Sequence, residues 1–300
     1  MPGYAGLLIA VMAVSSSSIF VRWCGDTPAL VISFYRMLWS TVILLIYQLK
    51  VNPFELRYTG LSHSSKKFIV LAGILLAFHF ATWIASIQMT TIAHSLILES
   101  THPVFALILS PLLLKERGNI RAMIAAVLTF LGIMVIASQD VGLAGGRFLG
   151  DMLAVASALF VTLYIFIARH QREKINLIPY LIAVYSGATI TLFVLILGFG
   201  LPLFAYPLKI QAMMLFLALI PTGIGHSLIN WAARKMEAYK VNFSILGEPV
   251  IASLLAFAIF GERPYGLFYV GAIFIASGIV MALLDRPVKA VKEQELEPAD

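Results

Sequence analysis

The sequence predicts an all-α, polytopic membrane protein whose ten transmembrane helices form two inverted five-helix repeats. Three observations predict it. Ten apolar stretches run near 4–22, 29–49, 68–90, 94–114, 121–138, 150–168, 178–200, 210–233, 240–260 and 265–284. Each is about 17–25 residues long, enough at about 1.5 Å per residue to cross a bilayer core as a helix that satisfies its own backbone. The second observation is the placement of charge. Sorted by alternate connections, sixteen of the 21 Lys and Arg residues, from Lys50 to Lys292, fall on one side. Arg22, Arg147, Lys209 and Arg263 fall on the other, and Arg36 lies inside a span. The positive-inside rule puts the sixteen, and with them both termini, in the cytoplasm. The third observation is that the chain repeats itself.

Composition narrows the class. With 60% hydrophobic and 12% charged residues, a soluble 300-residue domain is a poor reading. A net charge of +6 does not imply nucleic acid, because the basic residues occupy the short connections of one side, where topology explains them. Cys24 is the sole cysteine, which excludes an internal disulfide and a cysteine-based metal cluster. No cofactor and no metal site is expected.

The first stretch lacks a basic leading region, contains Ser15–Ser18 and precedes nine more, so it reads as a retained helix rather than a secretion signal. Its serines either line an interior cavity or bond back to their own helix. The second span carries Arg36, the third His79 and Trp83, and the fourth Glu99, His102 and Pro103. Small residues in the fifth and tenth, Ala125–Thr129 and Ala272–Ala276, permit close helix packing, a pattern too common to assign an oligomer. The eighth carries His226 and Asn230, and the ninth Glu248 and Pro249. The longest connection, 50–67, leaves no room for a soluble catalytic domain. The acidic tail, 285–300, reads as a disordered cytoplasmic extension.

The repeat is visible in paired residues. His79 matches His226 and Met89 matches Met236 at an offset of 147; Pro103 matches Pro249, and Glu116–Arg117 matches Glu262–Arg263, at 146. Ile19–Phe20–Val21 likewise falls on Ile165–Phe166–Ile167. One single-residue gap reconciles the offsets, giving units at 1–149 and 150–284. Because five is odd, the second unit enters the membrane from the opposite side, and a two-fold axis in the membrane plane relates the two.

The same segments carry a family resemblance. STHPVFALILSPLLLKER followed by LGIMVIA, and GEPVIASLLAFAIFGERP followed by GAIFIASGIVMAL, resemble the paired repeats of the EamA branch of the drug/metabolite transporter superfamily. The resemblance covers roughly 5–285 and implies a ten-helix exporter of small metabolites, often amino acids, with a central cavity. It departs at Arg36 and His79: Ala183 stands where a second Arg36 would fall, so the cavity is not charge-symmetric.

Charged groups inside a span each need a reason, since one at mid-bilayer costs about 2.5–3.5 kcal/mol on insertion scales. Counting along straight spans puts Arg36 about 10 Å from the outer face, Glu99 about 8 Å and His102 about 12 Å. Trp83 reaches a similar level and His79 lies nearer the middle. Glu248, in the repeat position of His102, lies about 12 Å from the cytoplasmic face, with His226 and Asn230 in the inner half. The expectation is two polar clusters, one on each side of the midplane. Three roles suit Arg36: snorkelling outward, neutralising Glu99, or binding a substrate carboxylate. Glu99 and Glu248 are structural partners or proton carriers, since low dielectric opposes a bare carboxylate. His79 and His102 are relays or carbonyl-bonded core histidines. Trp83 and Trp231 stack on substrate or pack at an interface. Pro103 and Pro249, each mid-span, predict kinks that act as hinges.

These residues weigh function classes differently. Glu99 and His102 form an ExxH pair, but no second ExxH, no HExxH and no GxSxG motif is present, which argues against an enzyme. A passive channel is the second competitor. The leading expectation is a secondary active transporter in a cell (inner) membrane, exporting amino acids or related small polar metabolites, with protons as a candidate driving ion. Uptake or exchange of a nucleotide-derived or amine metabolite is the alternative.

Overall fold

The computed structural model describes residues 3–58, 60–89, 92–113, 120–137, 148–171, 173–261 and 266–283. All regular structure among them is helical. The chain runs α1 (Gly3–Ser15), α2 (Ser17–Trp23), α3 (Ala29–Val51), a 3-10 turn (Pro53–Arg57), α4 (His63–Met89), α5 (Ile92–Glu99), α6 (His102–Leu113) and α7 (Ile120–Ala137). It continues through α8 (Phe148–His170), α9 (Leu177–Gly198), α10 (Leu208–Leu217), a π-helical stretch (Ala218–His226), α11 (Ser227–Lys235), α12 (Ala238–Ile245), α13 (Glu248–Phe260) and α14 (Gly266–Leu283).

Seven helical stretches among the described residues are long and apolar enough to cross a membrane: Ala5–Trp23, Ala29–Val51, His63–Met89, Phe148–His170, Leu177–Gly198, Leu208–Lys235 and Lys240–Phe260. Shorter apolar helices cover His102–Leu113, Met123–Gly132 and Tyr269–Gly278. Glu116–Arg117, Glu262–Arg263 and the tail 285–300 lie outside the described residues.

Several spans that read as single helices are interrupted. The chain turns at Ser100–Thr101 between α5 and α6, and at Leu246–Gly247 between α12 and α13. Pro103 and Pro249 therefore sit in the first turn of a new helix, where a missing N–H costs nothing, and not in the middle of a bent one. This corrects the mid-helix placement expected for both. A milder interruption falls at Ser16, whose Oγ donates to the Ala13 carbonyl at 2.7 Å.

Packing follows small residues. α7 lies along α14, α4 against α8 and α9, α3 against α9, and α1 against the π stretch and α11. A side chain at Gly132 would meet the Gly271 carbonyl at 2.6 Å, and one at Gly278 the Ala125 carbonyl at 2.7 Å. The small residues of 125–129 and 272–276 thus serve contact within the chain. Large apolar side chains face outward on many helices, including Leu8, Met12, Val127, Met134, Ile190 and Ile273, as a lipid-facing surface requires.

Candidate functional site

The site begins with a local conflict in the eighth apolar run. Pro221 has no N–H to donate, and its ring excludes ordinary α geometry around the preceding turn. The backbone there widens into the π stretch, a feature that recurs at functional sites. The hydroxyl of Thr222 donates to the Leu217 carbonyl at 3.0 Å. The same oxygen accepts from Nε of Arg36 at 2.7 Å. Gly225 brings α1 close, since a Cβ there would lie 2.6 Å from Cγ1 of Val14.

Arg36 is buried by this arrangement. Its guanidinium lies over the Phe80 ring, 3.9 Å from the centroid, and Nη2 is 3.5 Å from Ser17 Oγ. Nη1 has no hydrogen-bond partner. The carboxylate whose charge acts on Arg36 is Glu248, and Glu99 in turn feels Glu248. Stacking, two hydroxyls and one distributed opposite charge hold a guanidinium in a site with almost no water.

A cavity opens beside it, lined by Val14, Ser17, Arg36, His79, Phe80, Trp83 and Glu99 from residues 1–149 and by Val161, Tyr164, Ile165, His226, Ile229, Ile245 and Glu248 from residues 150–284. It leaves about 30 Å³ in which the centre of a water molecule can move, room for a water or two. The conformer is closed down around the site. Nδ1 of His79 lies 2.8 Å from Oγ of Ser157, and the His79 and His226 rings are 6.2 Å apart between centroids. Nδ1 of His226 is buried without a partner.

The expected outer and inner clusters are therefore drawn around one cavity. Arg36, His79, Trp83, Glu99, His226 and Glu248 all line it. Arg36 makes its hydrogen bonds to hydroxyls and not to Glu99. His102 stands apart, with Nδ1 3.1 Å from Oδ1 of Asn242 and its carbonyl accepting from Thr162 at 3.1 Å. Asn230 lies just behind the wall, its Nδ2 donating to the Tyr164 hydroxyl and, at 2.7 Å, to the His226 carbonyl. Trp231 packs on Gly6 of α1 instead of facing the cavity. Both readings of the serines hold: Ser15 bonds back to Val11, while Ser17 lines the cavity. Sequence reasoning missed Thr222, Phe80 and Tyr164. The run Pro221–Thr222–Gly223–Ile224–Gly225 inside an apolar stretch was the signal for the first.

Comparison with known proteins now bears on this site. The EamA-like transporter family matches residues 1–138 and again 148–284. The chain belongs to the EamA-like transporter family. An uncharacterized transporter of Archaeoglobus fulgidus is 24% identical over 285 residues, covering 93% of this chain and 96% of the other. The uncharacterized transporter YdfC of Bacillus subtilis is 22% identical, covering 93% and 89%. A crystal structure with a TM-score of 0.79 covers 94% of this chain and 96% of its own at 15% identity, which shows the fold alone. This EamA-like chain is a multi-pass membrane protein, and its family makes it a transporter for which the bilayer and a small-molecule substrate are the partners.

Proposed function

We propose that this transporter is a secondary active carrier that exports amino acids or related small metabolites by alternating access, driven by protons. In this reading ten helices form two inverted five-helix units in a cell (inner) membrane, with both termini cytoplasmic. The observation that carries it is the composition of the cavity wall. Positions that match between the repeats line it together: Val14 and Val161, Ser17 and Tyr164, and His79 and His226 at an offset of 147, Glu99 and Ile245 at 146. A cavity built on such a pseudo-two-fold can be opened to either side by equivalent motions of the two units.

Its chemistry suits a zwitterion. Arg36 offers Nη1 to a carboxylate, while Glu99 or Glu248 meets an ammonium beside the aromatic faces of Trp83 and Phe80. The two carboxylates are not equivalent. Glu248 opens α13, at a positive helix end, and lines the same cavity as Arg36. Glu99 closes α5, at a negative helix end, and lies within the field of Glu248. Glu248 is thus the counter-ion and Glu99 the proton carrier.

Two carboxylates against one guanidinium also favour the second reading, an amine substrate. Counterflow in proteoliposomes separates the two: labelled amino acid accumulating against trapped unlabelled amino acid, with saturation, supports the first. Counterflow seen for amines alone replaces it with the second. Linear, unsaturable flux of either kind would mark a channel and sink both.

A further inference from the structure

A second set of buried polar groups lies between the cavity and one end of the bundle. From the end of the π stretch into α11, His226, Asn230 and Arg234 are spaced by four, which stacks them on one face over about 12 Å. On α8, Tyr164 and Gln171 are spaced by seven and share a face as well, Gln171 lying just past the helix end. Between them α9 presents Tyr180 and Tyr185.

Five of these groups, Asn230, Tyr164, Tyr185, Tyr180 and Arg234, adjoin in turn. Tyr164 lines the cavity and accepts from Asn230. The Tyr185 hydroxyl lies beside Tyr164 without hydrogen-bond geometry, and Tyr180 lies within the field of Tyr185 and of Arg234. The Arg234 guanidinium stands 5.0 Å from the Tyr180 ring centroid, and its Nη1 donates to the Ile175 carbonyl at 2.7 Å.

They are also unsatisfied. The Tyr180 and Tyr185 hydroxyls, Oδ1 of Asn230, both amide atoms of Gln171, and Nε and Nη2 of Arg234 are buried without a partner. Unpaired polar groups within a bundle are costly, and five of these atoms, on Tyr180, Tyr185, Asn230 and Arg234, cluster on adjoining side chains. Nε and Nη2 form the side-on edge of a guanidinium, the edge that takes both oxygens of a carboxylate.

We propose that this route is the substrate's path between the central cavity and the end of the bundle where α8 meets α9, shut in this conformer, with the free Nε–Nη2 edge of Arg234 as a carboxylate-binding station along it. The proposal rests on the reading of the cavity as an amino-acid site. Opening the path supplies the missing partners, first water and then the passing carboxylate.

The test places single cysteines at Tyr180 and Gln171 in a Cys24→Ala background, with Leu192→Cys on α9 as the apolar control. Proteoliposomes are treated from each side with a charged, membrane-impermeant methanethiosulfonate, with and without saturating leucine. Labelling at Tyr180 and Gln171 from one side only, slowed severalfold by leucine, is expected; both sites as inert as Leu192 in active protein overturns the path. For the station, Arg234→Lys raises the KM for leucine about tenfold, the share of a charge-assisted bidentate contact, and leaves isopentylamine, which lacks the carboxylate, unchanged. An equal rise for both compounds overturns the station. If the wild-type protein exchanges no amino acid, the functional reading and the station fall together, while labelling still decides the path.

Discussion

Arg36 shows how much a single buried charge demands. It keeps its place through Thr222, Ser17, the Phe80 face and the field of Glu248. Replacing the guanidinium by an apolar side chain takes away the donors to the buried Thr222 and Ser17 hydroxyls, about 1–3 kcal/mol, and leaves Glu248 facing no positive charge in a closed cavity. Arg36→Leu therefore lowers the melting temperature in detergent sharply, and adding Glu248→Gln recovers much of the loss. A double variant as unstable as the single one would contradict a charge coupling between the two residues. Cys24 offers a contrasting case. Burial pushes its thiol up to about 12, so the reactive thiolate is scarce at pH 8. Iodoacetamide is expected to spare it in folded protein and to label it after denaturation, a difference read by mass spectrometry.

At the scale of elements, the interruptions matter more than the helices. Long apolar runs announced the helices because length and composition suffice to fix them. Breaks at Ser100–Thr101 and Leu246–Gly247 were less legible, since a proline in an apolar run signals a kink and a helix start equally well. Counting depth along straight rods also set Glu99 and Glu248 on opposite sides of the midplane. The two broken stretches end or begin at these carboxylates, which brings both to one cavity. Thr222 was missed because its role depends on the π register that Pro221 imposes, a matter of backbone geometry. Close packing of α7 on α14 gives a prediction of its own. Gly132→Val puts a branched side chain against the Gly271 carbonyl and costs about 1–3 kcal/mol by overpacking, seen as a lower melting temperature with transport per folded molecule retained. An unchanged melting temperature would show that the two helices can part freely.

For the whole molecule, the closed cavity sets the terms of function. Seven lining residues come from each unit, and the space left admits a water or two. On the proposed reading substrate enters by movement of the two units, and such a carrier exchanges its load without ever forming an open pore. On the proposed reading, charge constrains that cycle: Arg36 answers Glu248, and Glu99 carries a proton when no ammonium is present. Glu99→Gln then preserves exchange and abolishes its dependence on the proton gradient, whereas Glu248→Gln impairs both through Arg36. The most direct measurement is labelled amino-acid transport in proteoliposomes under an imposed pH gradient, wild type against Glu99→Gln. The account predicts gradient-driven accumulation by the wild type and gradient-indifferent exchange by the variant. Equal acceleration of both by the gradient would contradict it.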